Sequence, residues 1–232
     1  MKQFYQECGI DIYCEDMHSM IGLLPSVDLI VTDPPYELSN SLPGDEHYGC
    51  NLQKFESDSY RKLTTGIDVD FVFGEFKKLM DKFNMFCFCS NKQISKMMSW
   101  GESMGFSTTL LVWHKTNAVP FAKGVWRGDI EYCVHIRESG ACFDGNAQMK
   151  KKVSSFPFVN NAHHPTEKPL QLIQKYVSIG SRKGDLILDP YMGSGTTLLA
   201  AKNLGRRAIG IDIEEKYCEM AVKRLAPGVL PI

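Results

Sequence analysis

Short apolar strands that alternate with amphipathic helices run through almost the whole chain of 232 residues. Seven segments have the apolar, β-branched composition of strands, and they lie at residues 10–14, 27–32, 84–89, 107–114, 130–136, 185–188 and 208–211. Helical periodicity predicts helices at 16–24, 70–83, 92–104, 165–179, 194–204 and 214–225. This alternation predicts an α/β fold, doubly wound around a mostly parallel sheet, in one domain of residues 1–232.

Two polar stretches interrupt the alternation, at about residues 37–66 and 138–163. Neither shows a sustained helical or strand period, and loops of this length in compact domains are usually functional or disordered. No linker or internal repeat divides the chain. We therefore interpret both stretches as insertions into the single domain.

Composition narrows the class of protein. A hydrophobic content of 44% supports a sizeable core, and no run approaches the roughly 20 apolar residues of a membrane span. The first residues lack the apolar segment of a signal peptide, which predicts a cytoplasmic protein without membrane contact. The net charge of −1 gives no overall attraction to nucleic acid, so any DNA contact must come from local basic patches.

The eight cysteines show neither a Cys-x-x-Cys pair nor Cys/His spacing typical of zinc sites. Buried thiols in a reducing compartment are the expected state. The adjacent His163 and His164 lack an acidic partner at ligand spacing. The sequence predicts no metal site.

A rigid turn, Asp33-Pro34-Pro35-Tyr36, follows the strand at 27–32. The prolines fix φ near −65° and remove two backbone donors, and the residue before each is driven to extended geometry. In open α/β sheets, ligands bind at the carboxyl ends of strands. A structural Pro-Pro turn is the plain alternative, but a carboxylate and an aromatic ring at this place favour a site.

A glycine-rich turn, 189–195, links the strand at 185–188 to a helix. It lacks the lysine of a phosphate-binding loop and the third glycine of a dinucleotide fingerprint. Asp212 ends the next strand about 20 residues later, where an acidic side chain typically binds ribose hydroxyls. A ligand with a ribose and no required phosphate fits this pattern, and we predict S-adenosylmethionine as the cofactor.

With these motifs in this order, the chain resembles the amino-group DNA methyltransferases of the permuted β group. Four further segments support the resemblance. They are residues 12–16 with Leu24-Pro25, Ser90-Asn91-Lys92, Trp113-His114-Lys115 and residues 164–169. It implies a Rossmann-like, seven-stranded sheet, circularly permuted so that the catalytic motif precedes the cofactor motif. The strand at 10–14 should then lie beside the strand at 208–211. Tyr191, where the family commonly has phenylalanine, is a mild departure.

The resemblance also implies the roles of individual residues. Asp33, Pro34, Pro35 and Tyr36 would be catalytic, and Asp16 would lie near the cofactor adenine. The helix at 165–179, for which the residue type of Thr166 predicts an N-cap, would cover the methionine end. Together with the glycine turn, the predicted cofactor site comprises Asp16, Met17, Asp33, His164, Thr166, Lys168, Asp189, Tyr191, Met192, Gly193, Ser194, Gly195, Thr196, Asp212 and Ile213.

The resemblance implies methyl transfer to the exocyclic amine of an adenine flipped out of double-stranded DNA. Asp33 favours adenine, because the related cytosine enzymes more often have serine there. Cytosine, an RNA or protein amine, and an inactive nucleic-acid-binding module remain open alternatives. Candidate DNA contacts are the two polar inserts and the residues Lys123, Trp126, Arg127, Lys150, Lys151 and Lys152.

The sequence leaves a homodimer open and contains no nuclease segment, so a restriction activity would need another chain.

Overall fold

The structure, a computed structural model, describes residues 3–37, 66–118, 126–159 and 167–226. Within these ranges nine strands form one sheet. In chain order, β1 to β9 are Gln3–Glu7, Ile10–Cys14, Leu29–Thr32, Asn84–Cys89, Ser107–Lys115, Ile130–Arg137, Val153–Phe156, Leu186–Asp189 and Arg207–Asp212.

The sheet has the order β1-β2-β9-β8-β3-β4-β6-β5-β7. Its centre, from β2 to β4, is parallel, whereas β6 runs antiparallel to both β4 and β5. As predicted, β2 pairs with β9, and Cys14 stands opposite Asp212. β8 and β3 are hydrogen-bonded neighbours at the point where the strand order reverses. From β8 the chain continues to β9 on one side, and from β3 it continues to β4 on the other side. Such a reversal opens a crevice at the carboxyl ends of the strands.

Helices cover both faces of the sheet, as the doubly wound prediction requires. Numbered in chain order, α1 to α6 are Met17–Met20, Val69–Lys78, Ile94–Ser103, Leu170–Gly180, Thr196–Asn203 and Glu215–Leu225. Leu29 and Val31 point to the core layer beneath α4, α5 and α6, while Ile30 points to the layer beneath α1, α2 and α3. This alternation is the period of two of a strand buried on both faces.

All seven predicted strands form, and two further strands extend the sheet at its edges. β1 pairs only with β2, and β7 pairs only with β5 among the described strands. β1 contains no buried residue, and β7 buries only Ser154. Neither segment therefore carries the apolar pattern of a strand, and the predicted count of seven was too low. The predicted insert at 138–163 contains β7.

Two helix starts test the capping predictions. Asp16 caps α1 as predicted, because its side chain accepts a hydrogen bond from the backbone amide of His18. The helix is shorter than expected and continues only as a 3₁₀ turn, Ile21–Leu23. The prediction of Thr166 as the N-cap of α4 was wrong, since Pro169 occupies that position. A residue before proline is disfavoured in helical geometry, so Lys168 stays outside the helix.

No helix in the described ranges is long and apolar enough to span a membrane.

Candidate active site

The Asp33–Tyr36 turn lies at the carboxyl end of β3, in the centre of the sheet. Gln93, which is buried, donates a hydrogen bond from Nε2 to the carbonyl of Pro35 at 3.2 Å. The Oε1 atom of Gln93 accepts from the backbone amide of Ser90 at 3.0 Å. The segment after β4 therefore braces the turn in addition to the stiffness of its prolines.

Asp33 takes part in a chain of four alternating charges. Lys168 Nζ donates to Asp33 Oδ2, and the same ammonium lies 3.4 Å from Glu131 Oε2. Glu131 Oε1 in turn lies 2.7 Å from Lys115 Nζ. Lys168 is only 6% exposed, whereas the Asp33 side chain is 26% exposed. The chain joins β3, β5, β6 and the segment before α4.

The pKa values in this chain follow burial and neighbouring charge. Burial raises the pKa of Asp33; Lys168 opposes this effect, and Glu131 adds to it. Burial alone would lower the pKa of Lys168, but Asp33 and Glu131 outweigh it and raise that pKa to about 12. Burial would raise the pKa of Glu131, yet Lys168 and Lys115 bring it below its ordinary value. The ammonium of Lys168 is thus held in its charged form.

Among the buried oxygen atoms without a hydrogen-bond partner in the described residues, three follow β3 or β8: Asp33 Oδ1, the Tyr36 hydroxyl and the Tyr191 hydroxyl. The Tyr36 hydroxyl is still close enough to Asp33 to lower its pKa. Buried polar atoms in native proteins nearly always have a partner, so unpaired atoms require an explanation. Their position at the ends of β3 and β8 fits a site whose ligand supplies the missing hydrogen bonds.

The glycine turn after β8 is anchored on Asp212 of β9. Asp212 Oδ2 accepts from the amide of Gly193 at 3.0 Å, and Oδ1 accepts from the amide of Glu214 at 2.9 Å. Gly193 and Gly195 both have positive φ, at 49° and 76°, which a side chain would strain. A Cβ on Gly195 would also lie 2.7 Å from the Cβ of Ala221. This backbone cradle fits a nucleoside ligand.

Two carboxyl groups support the turn, of which Asp189 is buried and Asp212 is partly buried. Asp189 Oδ1 accepts a hydrogen bond from Thr32 Oγ1 at 2.9 Å, which ties β8 to its neighbour β3. Burial raises the pKa of Asp189 to about 7, although hydrogen bonds from Thr197 and Thr32 oppose the effect. Burial likewise raises the pKa of Asp212 to about 6.

Arg224 of α6 clamps the start of α5. Its Nη1 donates to the Ser194 carbonyl at 3.0 Å, to Ser194 Oγ at 2.8 Å and to Thr196 Oγ1 at 3.1 Å. Its Nη2 forms an ion pair with Glu167 Oε1 at 3.0 Å. One guanidinium thus joins the cofactor turn to the segment that carries Lys168.

The other predicted cofactor residues lie around the same edge. Asp16 follows β2, and Met17 and Met192 are buried in the core. Ile213, next to Asp212, is 52% exposed. The ammonium of Lys168 faces Asp33 and Glu131, so its predicted contact with the cofactor remains a prediction. His164 and Thr166 lie outside the described residues.

Some of the predicted DNA-contacting side chains are exposed to solvent, whereas others already contact residues of this chain. Trp126 is 98% exposed, and Lys151 and Lys152 are also exposed. Arg127 donates to the carbonyl of Ala118 at 2.5 Å, and Lys150 lies 4.4 Å from the centre of the Phe143 ring. Lys123 and most of the insert at 37–66 lie outside the described residues.

No group of three or more potential metal ligands occurs in the described ranges.

The residues of the candidate site that sequence reasoning missed are those whose position depends on tertiary packing. Glu131 and Arg224 reach the site from β6 and α6, and Thr32 reaches Asp189 across 157 residues of sequence. Only Lys115 gave a local signal, because it follows a predicted strand in a segment that resembles the family.

Comparisons with known proteins identify the family of this chain. Residues 27–223 match the family model N6_N4_Mtase, described as DNA methylase. Type II methyltransferase M2.DpnII of Streptococcus pneumoniae is 53% identical over 97% of this chain and 92% of its own length. M2.LlaDCHI of Lactococcus lactis subsp. cremoris is 26% identical over 98% of this chain and 93% of its own length.

Solved structures show the same fold. The M1.HpyAVI–SAM complex superposes with a TM-score of 0.70 and 29% identity, covering 93% of this chain and 100% of that chain. The cytosine-N4-specific PvuII DNA methyltransferase also has a TM-score of 0.70, with 96% of this chain and 88% of that chain covered. At 17% identity, the second match supports the fold alone.

Proposed function

The chain belongs to the N6_N4_Mtase family of DNA methylases, and from that premise we propose that its target is the N6 amine of adenine in double-stranded DNA. The family relationship leaves adenine and cytosine open. The observation that carries the choice is Asp33 at the first position of the catalytic turn, where the cytosine enzymes more often have serine. A carboxylate there offers a charged acceptor to an amine hydrogen.

The methyl donor of this family is S-adenosylmethionine, with which M1.HpyAVI was solved. When bound, it supplies an electrophilic methyl group on a sulfonium sulfur. The cradle at Gly193–Gly195 and the carboxylate of Asp212 would hold its nucleoside part. The unpaired Tyr191 hydroxyl, buried beside the turn, supports this assignment. Asp16 would approach the adenine of the cofactor.

The exocyclic amine of adenine is a poor nucleophile because its lone pair is delocalised into the ring. Asp33 Oδ1 and the Pro34 carbonyl would accept its two hydrogens and favour a pyramidal nitrogen with a freer lone pair. The prolines and the hydrogen bond from Gln93 keep these acceptors fixed, so little reorganisation is needed during the reaction. The ionised form of Asp33 is the stronger acceptor for an amine hydrogen.

The base must leave the duplex before its amine can reach Asp33, at a cost of a few kcal/mol. Tyr36 would stack on the extruded base, a contact worth about 1–3 kcal/mol. The exposed Trp126, Lys151 and Lys152 would contact DNA outside the pocket, with Lys150, Arg127, Lys123 and the two inserts as further candidates. A homodimer and a restriction partner on another chain remain open.

The test is incubation with labelled S-adenosylmethionine and unmethylated DNA, followed by nucleoside mass spectrometry. We expect N6-methyladenine, and N4-methylcytosine in its place would refute the adenine assignment. Asp33→Ala should abolish methylation while calorimetry still detects cofactor binding. Asp212→Ala should weaken cofactor binding. The reverse pattern of cofactor binding in these two variants would overturn the division of roles.

A further inference from the structure

We propose that Glu131 and Lys115 are positioning residues for the catalytic carboxylate, acting through Lys168, and that their opposite charges set how firmly Lys168 holds Asp33. The proposal rests on the assignment of Asp33 as the acceptor of the target amine. It adds residues from β5 and β6, which neither the catalytic turn nor the cofactor turn includes.

The geometry makes Lys168 a shared ion-pair partner. Its ammonium binds Asp33 Oδ2 on one side and lies 3.4 Å from Glu131 Oε2 on the other. Lys115, at 2.7 Å, is the nearer cation of Glu131. Each charge in the row Asp33–Lys168–Glu131–Lys115 therefore has neighbours of opposite sign, and each ion pair competes with the next one.

Low exposure gives this competition its strength. Lys168 is 6% exposed, Lys115 19% and Glu131 21%. Charges that are partly removed from water interact several times more strongly than charges in bulk solvent. Loss of the Glu131 charge would remove an anion that competes with Asp33 for Lys168. Loss of the Lys115 charge would instead strengthen the attraction between Glu131 and Lys168. The attraction between Lys168 and Asp33 would then become weaker.

The two losses have opposite signs at Asp33. Without the Glu131 charge, a nearby negative charge disappears, so the pKa of Asp33 falls. Without the Lys115 charge, Glu131 is less neutralised, so the pKa of Asp33 rises. The other titratable groups that act on Asp33 or feel its charge stay constant in both variants, and they are Tyr36, Cys87, Cys89, Cys133 and Asp189.

The chain offers a control glutamate at the other end of the same strand. Glu138, directly after β6, also binds two lysines, with Lys82 at 2.8 Å and Lys77 at 3.4 Å. Its side chain has the same 21% exposure as that of Glu131. Glu138 lies opposite the catalytic edge, since β6 runs antiparallel to β4. Glu138→Gln thus removes a glutamate that binds two lysines, here more exposed ones, without touching Asp33.

The experiment compares wild type, Glu131→Gln, Lys115→Gln and Glu138→Gln by two measurements. One is the pH profile of single-turnover methylation with saturating cofactor and DNA. The other is titration of the Asp33 carboxyl by ¹³C NMR in the free protein, assigned with Asp33→Asn. We expect the acid limb and the carboxyl pKa to move down by about 0.5–1 unit in Glu131→Gln and up by a similar amount in Lys115→Gln.

Glu138→Gln should leave both measurements at the wild-type values, and Lys115→Arg, which keeps the charge, should restore the wild-type titration. Shifts of the same sign in Glu131→Gln and Lys115→Gln, or unshifted titrations with merely slower turnover, would overturn the proposal. If Glu131→Gln does not fold, Lys115→Gln and Lys115→Arg decide alone. Absence of N6-methyladenine with wild type would instead refute the proposed target, and the NMR titration would still test the positioning role.

Discussion

The raised pKa of Asp189 predicts that this carboxylate destabilises the cofactor-free protein at neutral pH. Its folded-state pKa of about 7 lies above the value of about 3.9 expected in the unfolded chain. A carboxyl with a raised folded pKa contributes stability that is fully present below the unfolded pKa and is lost as pH rises through the folded pKa. Between pH 5 and pH 8, this one group should therefore cost about 2–3 kcal/mol of folding stability.

Asp189→Asn isolates that effect. Asparagine retains an acceptor for Thr32 Oγ1 and for the amide of Tyr191, which bond to Asp189 at 2.9 and 3.3 Å, but it cannot ionise. We expect the free energy of unfolding of the variant to increase by about 2–3 kcal/mol relative to that of the wild type as pH rises from 5 to 8. For Asp212→Asn, the same calculation gives an increase of about 1–2 kcal/mol. The increase is smaller because the pKa of Asp212 in the wild type, about 6, is lower than that of Asp189.

The assay is urea unfolding at pH 5, 6, 7 and 8, without cofactor. At each pH, the free energy of unfolding of the wild type is subtracted from that of the variant. The difference is needed because His135 has the opposite pH dependence. Burial, followed by Arg137, lowers the pKa of His135 to about 3, so its neutral form favours the folded state as pH rises through about 6.5. That contribution is common to both proteins and cancels.

Glu138→Gln provides the pH control. The hydrogen bond from Lys82 and that from the Phe83 amide lower the pKa of Glu138 to about 2, below the range of the assay. Its difference from wild type should therefore not change between pH 5 and pH 8. A pH-independent difference for Asp189→Asn would refute the reasoning, because it would mean that Asp189 stays ionised throughout despite its burial.

Two further substitutions test the packing that supports the site. Thr32→Val should lower the free energy of unfolding by about 1–3 kcal/mol, measured by urea unfolding at pH 8, because it removes the hydrogen bond to buried Asp189; an unchanged stability would contradict that bond. Gly210→Ala should cost about 1–3 kcal/mol, since its Cβ would lie 2.5 Å from Met192 Sδ and 2.7 Å from Leu198 Cδ2. A second substitution, Met192→Ala, should recover part of that loss, and strict additivity of the two changes would argue against the clash.

The central strands and their order could be predicted because burial on both faces leaves a strong pattern. The segment 84–89 is apolar except for Asn84, and the strand has those bounds in the structure. The edge strands left no such pattern. Residues 3–7 and 153–156 mix polar and apolar side chains. They are stabilised by pairing with β2 and β5, a tertiary effect that local propensity does not report.

The motif residues of the site could be predicted, but not their connections. Asp33, Gly193 and Asp212 each follow an apolar strand, which is a local signal. The pairing of Lys168 with Asp33 depends on where the segment before α4 crosses the sheet, and sequence alone predicted a cofactor contact instead. Arg224 lies on a helix face whose partner, the start of α5, is fixed only by packing.

The pairing of β2 with β9 has a consequence for how the protein is made. Cys14 and Ile213 contact each other across 199 residues of sequence. At ribosomal rates of about 5–20 residues per second, β9 is synthesised roughly 10–40 seconds after β2. The local hairpin with β1 covers one edge of β2 early, while the other edge stays open to wrong pairings. A nascent chain therefore completes the proposed cofactor site only after the strand with Asp212 has emerged.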